Sequence, residues 1–280
     1  MCVKKLSALL LLVLAASAFG DPAGIGSGLD IIVEENSSGL TIARSIGSAE
    51  TLEIPEMIDG KPVTAIGNGA FTGKGLIRVT IPGSVTSIGD GAFSFNSLEN
   101  VDVGDSVVSI GTGAFTGNKL RYVSLGSSVA SIGRGAFSNN RIASVELPDG
   151  VTVIGDYAFF NNRIREIAIP SSVTTIGEGA FSGNLLARIE IPGGVQEVRG
   201  GAFYNNRITS VTIPSSLETL GKRAFDIRPP DGRIRGNINY TDPSGNLLHT
   251  SANDFDTYFA STGRRPGRYT LAEGNWNLAE

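Results

Sequence analysis

The sequence contains very few of the side chains that bind metals or form disulfides. Its 280 residues include one cysteine, Cys2, and one histidine, His249. These numbers exclude an internal disulfide and a metal cluster built from cysteine and histidine, and they leave no basis for a Cys–His catalytic pair. We therefore expect no metal site and no cofactor.

Charged residues are also scarce, at 18% of the chain, and their balance is acidic, with a formal net charge of −4. A surface that binds nucleic acid needs an excess of Lys and Arg facing the phosphates. The charge balance therefore predicts that nucleic acid is not a partner.

The sequence also lacks a convincing arrangement of catalytic residues. Glu146, Glu166 and Glu190 fall on predicted strands, and paired carboxylates can hydrolyse glycosidic bonds. On an open strand face, however, all three are solvated, and nothing there tunes one as an acid and another as a base. The glycine-rich run 24–28 lacks the preceding strand and following helix of a phosphate-binding loop. The sequence predicts a protein that is not an enzyme.

Only the N-terminus carries a long apolar run. Lys4 and Lys5 precede an apolar stretch from Leu6 to Ala16, and small residues follow it, as in a signal peptide. The run is too short for a comfortable membrane span. We predict that residues 1–20 are removed on export, leaving no membrane span and a protein at the cell surface, outside the cell or in the periplasm. The alternative is an uncleaved N-terminal anchor.

What the chain has in abundance is repetition. The hexamer Ile154–Phe159 recurs every 22 residues, and each copy ends in phenylalanine. The eight copies begin at Ile66, Ile88, Ile110, Ile132, Ile154, Ile176, Val198 and Leu220. Self-similarity at a fixed short period is the signature of a solenoid, in which each unit buries its apolar side chains only against its neighbours.

Each repeat predicts one strand and one compact return. Ile167 and Ile169 alternate as in a half-buried strand, and Pro170 ends it. The apolar residues from Val173 to Phe181 recur at steps of three and five, which favours a tight helical or 3₁₀-like segment over a second strand. The expected fold is an α/β leucine-rich-repeat solenoid, a horseshoe or right-handed superhelix with one short parallel strand per repeat. A parallel β-helix is the alternative, but its turns need two or three alternating segments.

Two columns of side chains are expected to hold the repeats together. The phenylalanines should stack into a continuous spine. Asparagines also recur every 22 residues, and we interpret them as a buried ladder that satisfies backbone groups; the alternative is that they face solvent. These asparagines are Asn96, Asn118, Asn140, Asn162, Asn184 and Asn206.

The segments that flank the repeats are interpreted as caps, because a solenoid exposes core at both ends. Residues 21–53 read as a β-rich N-terminal cap with one hairpin, and residues 54–225 as the repeats, with five extra residues near positions 58–62. Residues 226–280 read as a C-terminal cap with a short helix over 253–261 and a closing hairpin about Glu273–Gly274. The aromatic residues of this last segment could instead form a partner site.

The repeat unit Leu-x-x-Val-x-Ile-Pro-x-x-Val-x-x-Ile-Gly-x-x-Ala-Phe resembles the BspA-like leucine-rich repeat of bacteria, also called the Treponema pallidum type. The resemblance covers residues 54–225, eight times over, and residues 40–67 resemble the segment that usually precedes the repeats. It implies an exported or surface-exposed bacterial protein without enzymatic activity. Some members are adhesins that bind host matrix proteins such as fibronectin or fibrinogen. Family members often carry cysteine where this chain has Asn162 and its equivalents.

The ligand is expected on the concave face of the strands. If Val79 and Ile81 point inward, the residues beside them point outward, because strand side chains alternate. The candidate binding residues in these outward columns are Arg78, Asn100, Tyr122, Glu146, Glu166, Arg188 and Glu190. The alternative is an ordinary solvent face.

We expect the partner to be a protein, such as a host extracellular-matrix protein, or a glycan, and the function to be adhesion. A scaffold in the periplasm or envelope without a host ligand is the second hypothesis.

Overall fold

The computed structural model describes residues 28–225 and, outside them, segments 12–14, 237–241, 247–251, 267–272 and 275–279 and residue 263. All regular structure in these residues is β-strand. The N-terminal strands are β1 (Leu12–Leu14), β2 (Leu29–Glu35), β3 (Leu40–Gly47), β4 (Thr51–Glu53), β5 (Met57–Ile58) and β6 (Lys61–Ile66). The repeats contain β7 (Arg78–Thr80), β8 (Ser87–Ile88), β9 (Asn100–Asp102), β10 (Ser109–Ile110), β11 (Tyr122–Ser124), β12 (Ser131–Ile132), β13 (Ser144–Val145), β14 (Val153–Ile154), β15 (Thr175–Ile176), β16 (Arg188–Glu190), β17 (Glu197–Val198), β18 (Ser210–Ile213) and β19 (Thr219–Leu220). The C-terminal strands are β20 (Asn237–Thr241), β21 (Leu247–Ser251), β22 (Gly267–Ala272) and β23 (Asn275–Ala279).

A ladder of two-residue strands runs along the repeats. Each pairs in parallel with the same two positions of the neighbouring repeat, so that Ile110 lies opposite Ile88 on one side and Ile132 on the other. The sheet is continuous from β3 through β6, β8, β10, β12, β14, β15 and β17 to β19. We call it the short-strand ladder.

A second set of strands, the long strands, forms another side of each repeat, in three separate groups. β4 pairs with β7, β11 with both β9 and β13, and β16 with β18, which also pairs with β22. In the fifth repeat, residues 163–170 contain no strand. The predicted long strands are therefore present in most repeats, but they do not form one continuous sheet.

The described residues contain no helix, so the α/β class and the predicted helical or 3₁₀-like return are not confirmed. The second, two-residue strand shows that the prediction of one strand per repeat is wrong. After Pro170 the chain makes a β-turn, in which the proline carbonyl accepts a hydrogen bond from the N–H of Val173 at 3.1 Å, and then enters β15. A two-residue strand is too short to show the alternation by which strands are recognised in sequence. Its hydrogen bonds join successive repeats, so no pattern within one repeat reveals it.

The core is a single column of aromatic rings surrounded by aliphatic side chains. The phenylalanines stack on one another with centroids 5.1–5.4 Å apart and interplanar angles of 3–10°, which confirms the predicted spine. Offset-stacked rings at this separation stabilise each other beyond the burial of their area. The fully buried rings are Phe71, Phe93, Phe115, Phe137, Phe159, Phe181, Phe203 and Phe225.

The asparagine ladder is buried, as predicted. Asn140, only 8% exposed, donates to the carbonyl of Phe115 in the preceding repeat and to that of Phe137 in its own, at 3.0 and 3.1 Å. Its Oδ1 accepts the N–H of Leu120 at 3.1 Å. The amide thereby satisfies backbone groups that the tight turn leaves without a main-chain partner.

Backbones of successive repeats approach each other closely at the glycine of each Ile-Gly pair. A Cβ added to Gly155 would lie 2.7 Å from the carbonyl carbon of Gly133 and from the oxygen of Ile132. A Cβ there requires the facing backbone to shift, which explains why glycine fills this position in seven of the eight repeats, with Arg199 in the seventh.

The predicted hairpins are present at both ends. β2 and β3 pair antiparallel around a turn in which Asn36 N–H donates to Gly39 O at 2.9 Å. The five extra residues form a second hairpin, β5–β6, with Asp59 and Gly60 at positive φ in its turn. β22 and β23 pair antiparallel, with Ala272 opposite Asn275, whereas the predicted turn at Glu273–Gly274 lies outside the described residues.

Several predictions fall on residues that are not described. The helix over 253–261 and the turn-rich stretch 226–236 lie outside the described residues. The same is true of the predicted signal peptide, 1–20, except for β1, which pairs antiparallel with β2.

Candidate ligand-binding face

The long strands place one side chain inward between two that point outward. Val101, Val123 and Ile189, at the strand centres, are 1–3% exposed. Tyr122 lies beside Asn100 and Ser144 in the parallel register. We define the long-strand face as the outward-pointing residues on either side of the buried central residue of each long strand, and their equivalents where a repeat lacks the strand. All seven candidate binding residues are exposed: Arg78, Asn100, Tyr122, Glu146, Glu166, Arg188 and Glu190.

Not all of these residues lie in strands. Arg188 and Glu190 belong to β16, but Glu146 follows the end of β13 and Glu166 lies in the stretch without a strand. The expectation that three glutamates fall on strands is therefore correct for Glu190 alone. Binding by the seven residues stays a prediction.

The C-terminal hairpin limits the long-strand face at one end. β22 lies against β18, with Thr270 opposite Ser210, and Arg268 Nε donates to Ser210 Oγ at 3.4 Å. As a result Ser210 is only 9% exposed, although the same column is exposed in earlier repeats. The last freely exposed residues of the face are those of β16.

The charges of the long-strand face have no partners within the described part of the chain. None of the seven candidate side chains makes a hydrogen bond or an ion pair there. On the short-strand side, by contrast, Arg199 lies 3.2 Å from a carboxylate oxygen of Glu197 and 3.4 Å from one of Asp156. Charged groups left without partners in the folded chain are available to another molecule.

A border of cations, which our sequence reasoning missed, runs just before the long strands. The residue that follows each ladder asparagine is a cation in four repeats, and the residue two further on is a cation in two. They are exposed and form no ion pair with the described residues. The 22-residue period would have revealed the cationic border, which consists of Lys119, Arg121, Arg141, Arg163, Arg165 and Arg207.

Within the described residues, no group of three or more His, Cys, Asp or Glu side chains could hold a metal ion. The same residues contain no helix of the length and apolar character that a membrane crossing requires.

The repeat geometry defines a leucine-rich-repeat solenoid, and a family comparison assigns the type. The family described as the BspA type leucine-rich repeat region, whose pattern comprises six copies, matches residues 48–165 and 109–228. Together these matches cover more than half of the chain. The chain therefore belongs to the family of BspA-type leucine-rich repeat proteins.

Solved structures of bacterial leucine-rich repeat proteins are similar to this chain. A leucine-rich repeat protein from Bacteroides ovatus ATCC 8483 is 29% identical over 71% of this chain and 55% of its own, with a TM-score of 0.63. The T. pallidum leucine-rich repeat protein is 24% identical over 68% of this chain and 78% of its own, with a TM-score of 0.29. The pneumococcal vaccine antigen PcpA is 17% identical over 81% of this chain and 53% of its own, with a TM-score of 0.43.

The chain thus spans about half the length of the B. ovatus protein. Among proteins of curated function, none matches the sequence significantly.

Proposed function

We propose that this protein is exported and acts without catalysis, binding a protein partner through the long-strand face in adhesion to host matrix or to neighbouring cells. The observation that carries the proposal is the row of exposed side chains without intramolecular partners. Tyr122, 55% exposed, stands near its centre. Tyrosine and arginine are the residue types most often energetic at interfaces, and solenoids commonly bind partners on such surfaces.

The size of the face indicates how a partner would dock. Seven stacking steps of 5.1–5.4 Å give the repeats a length of about 37 Å. A three-residue strand spans about 10 Å, so the face offers roughly 400 Å², half of the about 800 Å² that each partner buries in a standard interface. A protein partner must therefore also contact the cationic border, which favours an acidic surface on that partner.

Export is supported by the basic residues and apolar run at the N-terminus. Finding the protein at the surface of intact cells by labelling would favour adhesion. Its confinement to the periplasm or envelope would favour a scaffold role without a host ligand.

Binding to matrix proteins tests the proposal directly. The purified chain would be titrated against immobilised fibronectin and fibrinogen, beside a variant with Tyr122, Glu166 and Arg188 changed to alanine. A matched variant would change the exposed Val153 and Thr174, which lie on or beside the short-strand ladder. We expect saturable binding that only the first variant loses, because only it removes the long-strand face. Equal loss in both variants, or binding that survives in both, would place the site elsewhere.

A further inference from the structure

A cleft lies at the turn edge of the solenoid. Some residues that line it differ from the repeat pattern, and packing does not explain the difference. The fourth residue of the hexamer is glycine in six repeats, with φ of 57–64°. Tyr157 occupies this position in the fifth repeat and Arg223 in the eighth, with φ of 57° and 58°. A bulky side chain in this left-handed region is an outlier, and such strain is concentrated at functional sites.

The Tyr157 ring is held in a defined orientation. It lies over Gly179 of the next repeat, where an added Cβ would be 2.5 Å from ring atom Cε1. Its hydroxyl donates to the carboxylate of Glu178, and the ring of Phe160 meets it edge-on at 5.9 Å. The guanidinium of Arg134 lies 5.7 Å from the ring centroid. The ring therefore forms a fixed wall.

A second aromatic wall stands two repeats further along. Tyr204 follows Phe203, at a position that five other repeats fill with serine or threonine. The guanidinium of Arg223 lies 4.6 Å from its ring centroid. Between the walls lies a cleft of about 310 Å³, whose lining includes Gly179, Gly200 and Gly201. Its size is at the lower end of small-molecule sites.

The cleft contains a buried hydroxyl without a partner. Ser182 lines it and is 6% exposed, but its Oγ makes no hydrogen bond with the described residues. In other repeats the equivalent hydroxyls pair, as Thr116 does with Ser138 at 2.6 Å. The neighbours of Ser182 in this column are Phe160 and Tyr204, so that pairing is lost. A buried polar group without a partner is unfavourable, which indicates that a ligand completes it.

We propose that this cleft binds one pyranose ring of a glycan. The apolar C–H face of a sugar suits the electron-rich face of a tyrosine ring, and its hydroxyls suit the free Ser182 Oγ. Glu178 and Lys222, also in the lining, supply an acceptor and a donor for further hydroxyls. A purely apolar ligand would leave these groups unpaired, and a polyanion would face the Glu178 carboxylate. This site is separate from the long-strand face.

The test is saturation-transfer NMR on the purified chain with glucose, galactose, N-acetylglucosamine and glucuronic acid as probes. We expect at least one of them to saturate the site with a Kd of about 10 mM or below. Tyr157→Gly and Tyr204→Ser restore the residues of other repeats, so both variants should fold. Each should weaken binding at least about tenfold, because each removes a wall that contacts the sugar.

Ser182→Ala should also weaken binding, by about tenfold, as expected for one lost hydrogen bond to a buried group. Ser138→Ala is the matched control in the same column, since its hydroxyl lies outside the cleft, and it should leave binding unchanged. The proposal is overturned if no sugar saturates the site, or if Tyr157→Gly and Tyr204→Ser bind as well as the unaltered chain. Loss of matrix-protein binding in the long-strand variant leaves this test unaffected.

Discussion

Replacing two neighbouring ladder asparagines by alanine should destabilise the protein more than replacing two separated ones. Five phenylalanine carbonyls in the middle of the array each accept two side-chain amides. Phe115 O, for example, receives Asn118 of its own repeat at 3.1 Å and Asn140 of the next at 3.0 Å. No main-chain N–H of the described residues reaches that oxygen. Loss of one asparagine therefore leaves the carbonyl with a donor, whereas loss of both leaves it with none.

The magnitude follows from counting the groups that lose their partners. Asn140→Ala frees one N–H, that of Leu120, and Asn118→Ala frees that of Leu98. A buried backbone group without a partner costs about 1–3 kcal/mol. The neighbouring pair loses these two bonds and also frees Phe115 O, so it should cost about 1–3 kcal/mol more than the sum of the single changes.

The matched control is the separated pair Asn118→Ala with Asn162→Ala. Here Phe115 O keeps Asn140, and Phe137 O keeps Asn140 as well. The two changes should therefore add. Both double variants remove the same atoms, so any difference between them reports on the shared carbonyl.

The assay is urea unfolding of the unaltered chain, the three single variants and the two double variants. Because repeat arrays do not always unfold in one step, the unfolding slopes must first be shown to agree between variants. Equal destabilisation by the neighbouring and the separated pair would refute the reasoning, since it would mean that the freed carbonyl finds another donor.

Further changes test other parts of the fold. Gly155→Ala should destabilise the chain by about 1–3 kcal/mol, as judged by urea midpoints, because the added Cβ forces the facing backbone to shift. Gly193→Ala, where an added Cβ meets nothing within 4 Å, should cost less than about 1 kcal/mol. Phe95 is 68% exposed and has a left-handed backbone with φ of 55°. Phe95→Gly should raise the free energy of unfolding by about 0.5–1 kcal/mol, because it relieves the backbone strain and loses little buried area. A lower melting temperature of the variant would contradict this. The hydrogen bond to Glu178 raises the pKa of Tyr157 above its ordinary value of 10.0, so Glu178→Gln should lower that pKa in an absorbance titration. Because the pKa of Tyr157 is higher in the folded than in the unfolded chain, this hydrogen bond stabilises the fold at lower pH, and the stabilisation is lost as pH rises through the folded-state pKa. The Glu178→Gln variant should therefore not show this loss of stability at alkaline pH.

The sequence allowed the core to be predicted in detail, because identical side chains at a fixed period must meet when the repeats stack. The Phe115–Phe137 contact and the burial of Asn140 both follow from that argument. The short-strand ladder could not be found in the same way. Its two residues per repeat, such as Ser131–Ile132, are too few to alternate, and their hydrogen bonds depend on the neighbouring repeat.

The candidate site was predicted less completely. The exposure of Tyr122 and Arg188 followed from strand alternation, but the cover that β22 places over Ser210 did not, because that contact joins residues about 60 positions apart. The pairing of distant segments has no local signal in sequence.

In a repeat protein, the residue at each position can be compared with the equivalent residues of the other copies, because the eight copies share one backbone conformation and similar neighbours. Where a position is set by packing, the copies agree, as the eight stacked phenylalanines do. Where one copy departs toward a less favourable residue, stability alone does not account for it. Tyr157 at a left-handed glycine position and Tyr204 in a column of hydroxyls are two such departures, and they flank the same cleft. Independent exceptions that converge in space are a stronger indication of a binding site than either exception by itself, because random drift has no reason to place them together.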